Sequence, residues 1–151
     1  MHVTALPTDP ASPWVSRLIS LAVFAPALAV LLVASGLTAA EEGMGTHTQL
    51  GLQPCGFQAA SGLPCATCGM TTSFTHAAHG RFTSSFVVQP AGAVLAVLTA
   101  AAVLVSGWSL WTGRSLAPLG RAALRPRSLA VLIGLILGGW AFTAGRVALG
   151  G

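Results

Sequence analysis

Three runs of apolar sequence, each about the length of a bilayer-spanning helix, restrict this chain to one kind of fold. Leu18 to Ala40 and Pro90 to Trp111 carry no charge, and Ser128 to Leu149 is interrupted only by Arg146 near its end. A helix needs roughly 20 predominantly apolar residues to cross the hydrocarbon core. Composition agrees, with 54% hydrophobic and 7% charged residues against roughly 25% charged in soluble domains. The sequence therefore predicts an all-α membrane protein with three transmembrane helices at about 18–40, 90–112 and 128–149, forming a single helical membrane domain over 14–151. Pro7, Pro10 and Pro13 and the lack of any apolar period make 1–13 a disordered tail. A cleaved signal peptide is the rival reading of the first run, with Arg17 as its positive end and Thr38-Ala39-Ala40 as its cleavage site. The apolar stretch is longer than the roughly 7–15 residues of such a segment. Pro26 inside it is tolerable as a kink, because neighbouring helices in a membrane can re-satisfy the freed carbonyl.

The few charges orient the spans. All seven basic residues are arginine, and Arg114, Arg121, Arg125 and Arg127 crowd the loop 113–127 between the second and third runs. Basic loops stay cytoplasmic. Three spans then place the N-terminus on the cytoplasmic side, where Arg17 agrees, and the segment carrying Glu41 and Glu42 on the outer side of a cell (inner) membrane. Trp14, Trp108 and Trp111 fall at the cytoplasmic interface as an aromatic belt, and Arg146 reaches the outer interface with its long stem. So sparse a positive charge excludes a nucleic-acid partner, which calls for a dense basic face. The bilayer is the expected partner. Gly92, Ala96 and Ala100, and Gly134 with Gly138, recur at four-residue spacing, which allows close helix approach either within the chain or toward a second copy or another membrane subunit.

Between the first two spans, residues 43–85 hold all three cysteines, Cys55, Cys65 and Cys68, and the histidines His47, His76 and His79. Leu50, Leu52, Phe57, Met70, Phe74 and Phe82 make this stretch too apolar for a free loop, so it is expected to be a Cys-rich re-entrant or interfacial segment. It should contain a short helix, because Cys68 to His79 lacks proline and Gly80 is a stop signal. If that helix begins near Cys68, then at 3.6 residues per turn Cys68, Thr72, His76 and His79 share an arc of about 80°. Met70, Phe74, Ala77 and Ala78 would take the other side, packed on the spans. A helix start beside Cys65 and Cys68 would also favour a thiolate. His47, alone in a glycine-rich linker, is expected to be solvated.

Three chemistries fit these residues in an oxidising outer compartment. Cys55, Cys65 and Cys68 with His76 or His79 would complete a tetrahedral site for Zn or Cu. Alternatively, the Cys65-x-x-Cys68 pair would cycle between dithiol and disulfide as a membrane thiol-disulfide oxidoreductase, with Cys55 resolving or donating. In the third, one disulfide from Cys55 to Cys65 or Cys68 simply clamps the segment. The chain has no haem-attachment or dinucleotide motif to serve the redox reading, although a quinone needs none. An accessory or interaction role is expected rather than an enzyme.

The block Cys55, Ser61-Gly62-Leu63-Pro64-Cys65-Ala66-Thr67-Cys68-Gly69-Met70-Thr71-Thr72, with Gly80 and Gln89-Pro90, resembles the signature of a family of small bacterial membrane proteins classed as a domain of unknown function. That family's pattern is a cysteine, a Gly-x-Pro-Cys-Pro-x-Cys-Gly-x-Thr-Arg block and an Asn-Pro before a transmembrane helix. The likeness covers about 52–92. Ala66 replaces the usual proline and Thr72 the usual arginine. The resemblance implies a membrane location and no particular activity.

Overall fold

The structure, a computed structural model, describes residues 12–149. The expected disordered tail lies almost entirely outside them. Among the described residues the chain is helical throughout, without strands, as the apolar runs require. Helix α1 spans Pro13–Gly36, α2 Gly56–Ser61, α3 Met70–Ala78, α4 Phe82–Val88, α5 Pro90–Thr112, α6 Ala117–Ala123 and α7 Pro126–Ala148, and a 3-10 turn covers Thr46–Leu50. Helices α1, α5 and α7, of 24, 23 and 23 residues, are long and apolar enough to cross a membrane. Helix α1 begins earlier than the uncharged run, because Pro13 is pre-set for a first helical turn and hydrogen bonding does not stop at Arg17. Pro26 lies inside α1 and leaves it one continuous helix.

The bundle is inside-out relative to a soluble protein. Leu18, Leu32, Leu104 and Val131 point outward, whereas Ser16, Ser20, Ser106, Ser109 and Thr143 are buried. When lipid is the solvent, apolar side chains gain nothing by leaving it, and hydroxyls must find partners inside. Antiparallel α1 and α5 are thus joined where Ser20 and Ser109 share a hydrogen bond of 2.6 Å, with Gly107 giving room to the Phe24 ring. Trp14, Trp108 and Trp111 are all exposed at this end of the pair.

At the opposite end, α3 and α4 form a helical hairpin laid along the first half of α5 and against the end of α1. Its tip reaches the level where Leu31 of α1, Phe82 and Ala100 of α5 border one groove. Ser73 and Ser85 staple the hairpin, each hydroxyl donating to the carbonyl of the other residue across the two helices at 3.0 and 2.8 Å. Here the expected facing of α3 is corrected. Thr72, Ser73 and Thr75 are fully buried, Phe74 is half-buried and Ala78 is exposed. The hydroxyls turn inward for the same reason as in the spans, while of the apolar set Met70 still packs on Gly92 of α5 and Phe74 and Ala77 are half-buried.

Small residues mark the closest approaches, though not all of those the spacing suggested. Gly92 lies under α3, where a Cβ would come within 2.8 Å of Ser73, and Ala96 is buried. Gly134 and Gly138 face open space, while Gly139 meets the start of α5: a Cβ there would lie 2.7 Å from the Gln89 side chain.

Candidate metal centre

The site begins with three turns that bring distant cysteines to one end of the bundle. Cys55 is the residue before α2, and α2 ends at Gly62 in the left-handed conformation that glycine adopts without strain. Pro64, buried, then anchors the returning chain by accepting a hydrogen bond of 2.9 Å from Trp140 Nε1 of α7. Cys65 to Cys68 forms a tight turn closed by Cys68 N–H donating to the Cys65 carbonyl at 3.1 Å. Gly69, at φ +83°, redirects the backbone into α3. Gln89 holds the middle of that turn, its Nε2 donating to the Ala66 carbonyl at 3.3 Å.

The three Sγ atoms consequently all lie within 4.8 Å of one another. Cys65 Sγ is 3.2 Å from Cys68 Sγ and 3.3 Å from Thr67 Oγ1. All three are free thiols, with Cys68 buried and the other two half-buried. A tetrahedral ion with metal–sulfur bonds near 2.3 Å holds its sulfurs about 3.8 Å apart, a spacing that falls inside this range. The thiols open into a cavity of about 410 Å³ whose wall also includes His47, Leu52, Thr67 and Thr72.

The thiols differ in acidity. Burial works against a Cys65 thiolate. Hydrogen bonds from the Thr67 hydroxyl, the Cys68 thiol, the Thr67 backbone and Cys55 outweigh it and bring the group from its usual 9.0 down to about 6. Cys68 is pushed up to about 12, first by its burial and then by serving as donor to Cys65. Thiolates, not thiols, react with alkylating reagents. In the reduced, metal-free protein, iodoacetamide labelling of Cys65, mapped by mass spectrometry, should rise with pH through a midpoint near 6, and Cys68 should stay protected up to pH 9. A Cys65 midpoint near 9 would show that the hydrogen-bonded turn does not form.

The expected histidines do not join the cluster. Helix α3 begins at Met70 rather than Cys68, so Cys68 sits in the preceding turn and the arc argument does not apply to it. His79, at the far end of α3, is roughly 13 Å along the axis from the thiol turn at 1.5 Å per residue, and its Nδ1 donates to the Thr75 carbonyl at 2.8 Å. His76 Nδ1 is buried without a partner among the described residues. Thr72, where the family pattern has arginine, is fully buried and bonded to Thr46 at 2.8 Å.

Sequence reasoning missed three residues that shape the site. His47, half-exposed, also lines the thiol cavity. Trp140 lies mid-span rather than at an interface, which is the one signal that could have singled it out. Gln89 was visible only as half of a Gln-Pro pair.

No curated protein and no solved structure matches the chain. A family described as "Protein of unknown function (DUF2752)" matches residues 55–103, the stretch from the first cysteine through the hairpin to the middle of α5.

Proposed function

We propose that this is a multi-pass cell-membrane protein that binds one soft metal ion, Zn(II) or Cu(I), through Cys55, Cys65 and Cys68 on its outer side, in an accessory or interaction role. The observation that carries the reading is the three sulfurs lying within 4.8 Å of one another, Cys55 from the start of α2 and Cys65 and Cys68 from one tight turn. The orientation rests on the charges: the four loop arginines lie around α6, at the end of the bundle away from the thiols. In an oxidising compartment unprotected thiols pair, and three of them leave one over; a bound ion engages all three and holds them reduced. Thiolate sulfur suits both ions.

The test is metal content and thiol accessibility. Protein purified in detergent and loaded with Zn(II) should retain about one ion per chain after desalting, with its thiols slow to react until a chelator is added. Thiols that react freely in the loaded protein, together with no retained metal, would overturn the reading.

A second reading is favoured by the Cys65–Cys68 contact and their split acidity. The Cys65 thiolate would attack a substrate disulfide, expelling one substrate thiolate. Cys68, deprotonated as it attacks the mixed disulfide, would release the second. The pair is oxidised to a disulfide as the substrate is reduced to a dithiol.

A further inference from the structure

We infer that His47 is the fourth ligand of the three-cysteine site, making it a Cys3His centre suited to Zn(II). The inference rests on the metal reading above.

Three observations lead to it. First, the 3-10 turn Thr46–Leu50 is fastened next to the thiol turn. Thr46, fully buried, bonds through its hydroxyl to Thr72 of α3 at 2.8 Å and accepts from Ala40 N–H at 3.0 Å. Gly45 and Gly51, both left-handed, bend the chain into and out of this turn. Second, His47 follows Thr46 and lines the same cavity as Cys55, Cys65 and Cys68, which neither His76 nor His79 does; its ring nitrogens stand outside the group of sulfurs that lie within 4.8 Å of one another, so a bound ion would draw the imidazole inward to close the shell. Third, one imidazole nitrogen is already committed. His47 Nε2 lies 3.1 Å from the Gln53 carbonyl, and a carbonyl only accepts, so Nε2 carries the proton. In the neutral ring the lone pair is then on Nδ1. Metal-bound histidines commonly have this arrangement, with the second nitrogen donating to a backbone carbonyl and so fixing tautomer and ring orientation. The carbonyl also belongs to the residue two positions before Cys55, so the contact holds the imidazole against the segment that leads to the first thiol.

The fourth ligand bears on which ion is held. Three thiolates complete the trigonal shell of Cu(I), whereas Zn(II) in a structural site takes four donors from sulfur and nitrogen. A thiolate-rich shell closed by His47 gives Zn(II) the coordination it lacks with the cysteines alone.

The experiment uses the reduced, full-length protein in detergent, with Co(II) as a visible probe of the shell and Zn(II) competition for affinity. Wild-type protein should show the intense ligand-field bands of tetrahedral Co(II) with mixed sulfur and nitrogen donors. His47→Ala should weaken Zn(II) binding by at least about 100-fold, the upper end of the loss seen when a merely supporting group is removed, and should alter the bands. His47→Cys should restore tight binding with bands moved to lower energy, as four sulfurs require; this rescue separates loss of a ligand from loss of fold. His76→Ala and His79→Ala should match wild type. Unchanged affinity and spectrum in His47→Ala would overturn the inference and leave the three-cysteine site standing, as would the same loss in His76→Ala or His79→Ala. Absence of tetrahedral bands in the wild type would overturn the inference, and if neither Zn(II) nor Cu(I) is retained either, the metal reading falls with it.

Discussion

Replacing Cys68 by serine is expected to abolish stoichiometric metal loading while the bundle stays assembled. Cys68 is the most buried of the three thiols and the one whose sulfur contacts Cys65 at 3.2 Å. A serine oxygen is a hard, poorly ionised donor on a shorter bond, so the site would fall to two soft ligands, too few to exclude water from the ion. The turn itself is held by the Cys65 carbonyl, Gly69 and Gln89, none of which uses the Cys68 side chain. Metal per chain by elemental analysis should therefore drop from about one toward zero with little change in the helical circular dichroism. Full retention of metal by the Cys68→Ser protein would sink the three-cysteine site. The same variant separates the two readings of the thiols. If the pair exchanges disulfides, Cys65 would remain a nucleophile without its resolving partner, and a mixed disulfide with substrate would accumulate. If the site holds metal, no such adduct should build up.

What the sequence made legible follows from the range over which each signal acts. The three spans are local: an uncharged run is apolar whichever way the rest of the chain folds, and α5 and α7 begin at the prolines Pro90 and Pro126. The cysteines were also legible as candidates, because thiols concentrated in one segment have few other uses. The histidine beside them was not. Periodicity pointed to His76 and His79, and it failed because Gly69 interrupts the backbone between Cys68 and α3. His47 is brought to the wall of the thiol cavity through Thr46 and Thr72, a contact between residues 26 apart in sequence that no local pattern encodes. The facing of α3 was misjudged for a different reason. Placing its apolar side inward applies the logic of a water-soluble core, whereas a segment packed among spans buries its hydroxyls. Gln89 belongs to the same class: a polar residue before a proline reads as a helix start, and its reach to Ala66 depends on the hairpin closing.

That reach makes Gln89 the residue whose loss should be felt in both the fold and the site. Its side chain is fully buried. Oε1 accepts from Ala91 N–H at 2.9 Å, satisfying one of the free donors at the start of α5, and Nε2 donates to the carbonyl of Ala66 between the two turn cysteines. Gly139 of α7 is pressed against the same group. Gln89→Leu keeps the volume but leaves the Ala91 donor buried and unpartnered and the half-buried Ala66 acceptor without its amide. Each such group costs about 1–3 kcal/mol, so the substitution should destabilise the protein by about 2–4 kcal/mol, visible as a lower thermal midpoint in detergent. The freed turn should also bind Zn(II) about 10–100-fold more weakly, the range for losing a group that orients ligands. Gln89→Asn distinguishes the two roles. The shorter amide can still cap Ala91, as asparagine does well before a helix, but it falls one methylene short of Ala66. It should therefore recover much of the stability and little of the affinity. A Gln89→Leu protein that melts with wild type and binds Zn(II) with unchanged affinity would show that neither the start of α5 nor the thiol turn depends on this side chain.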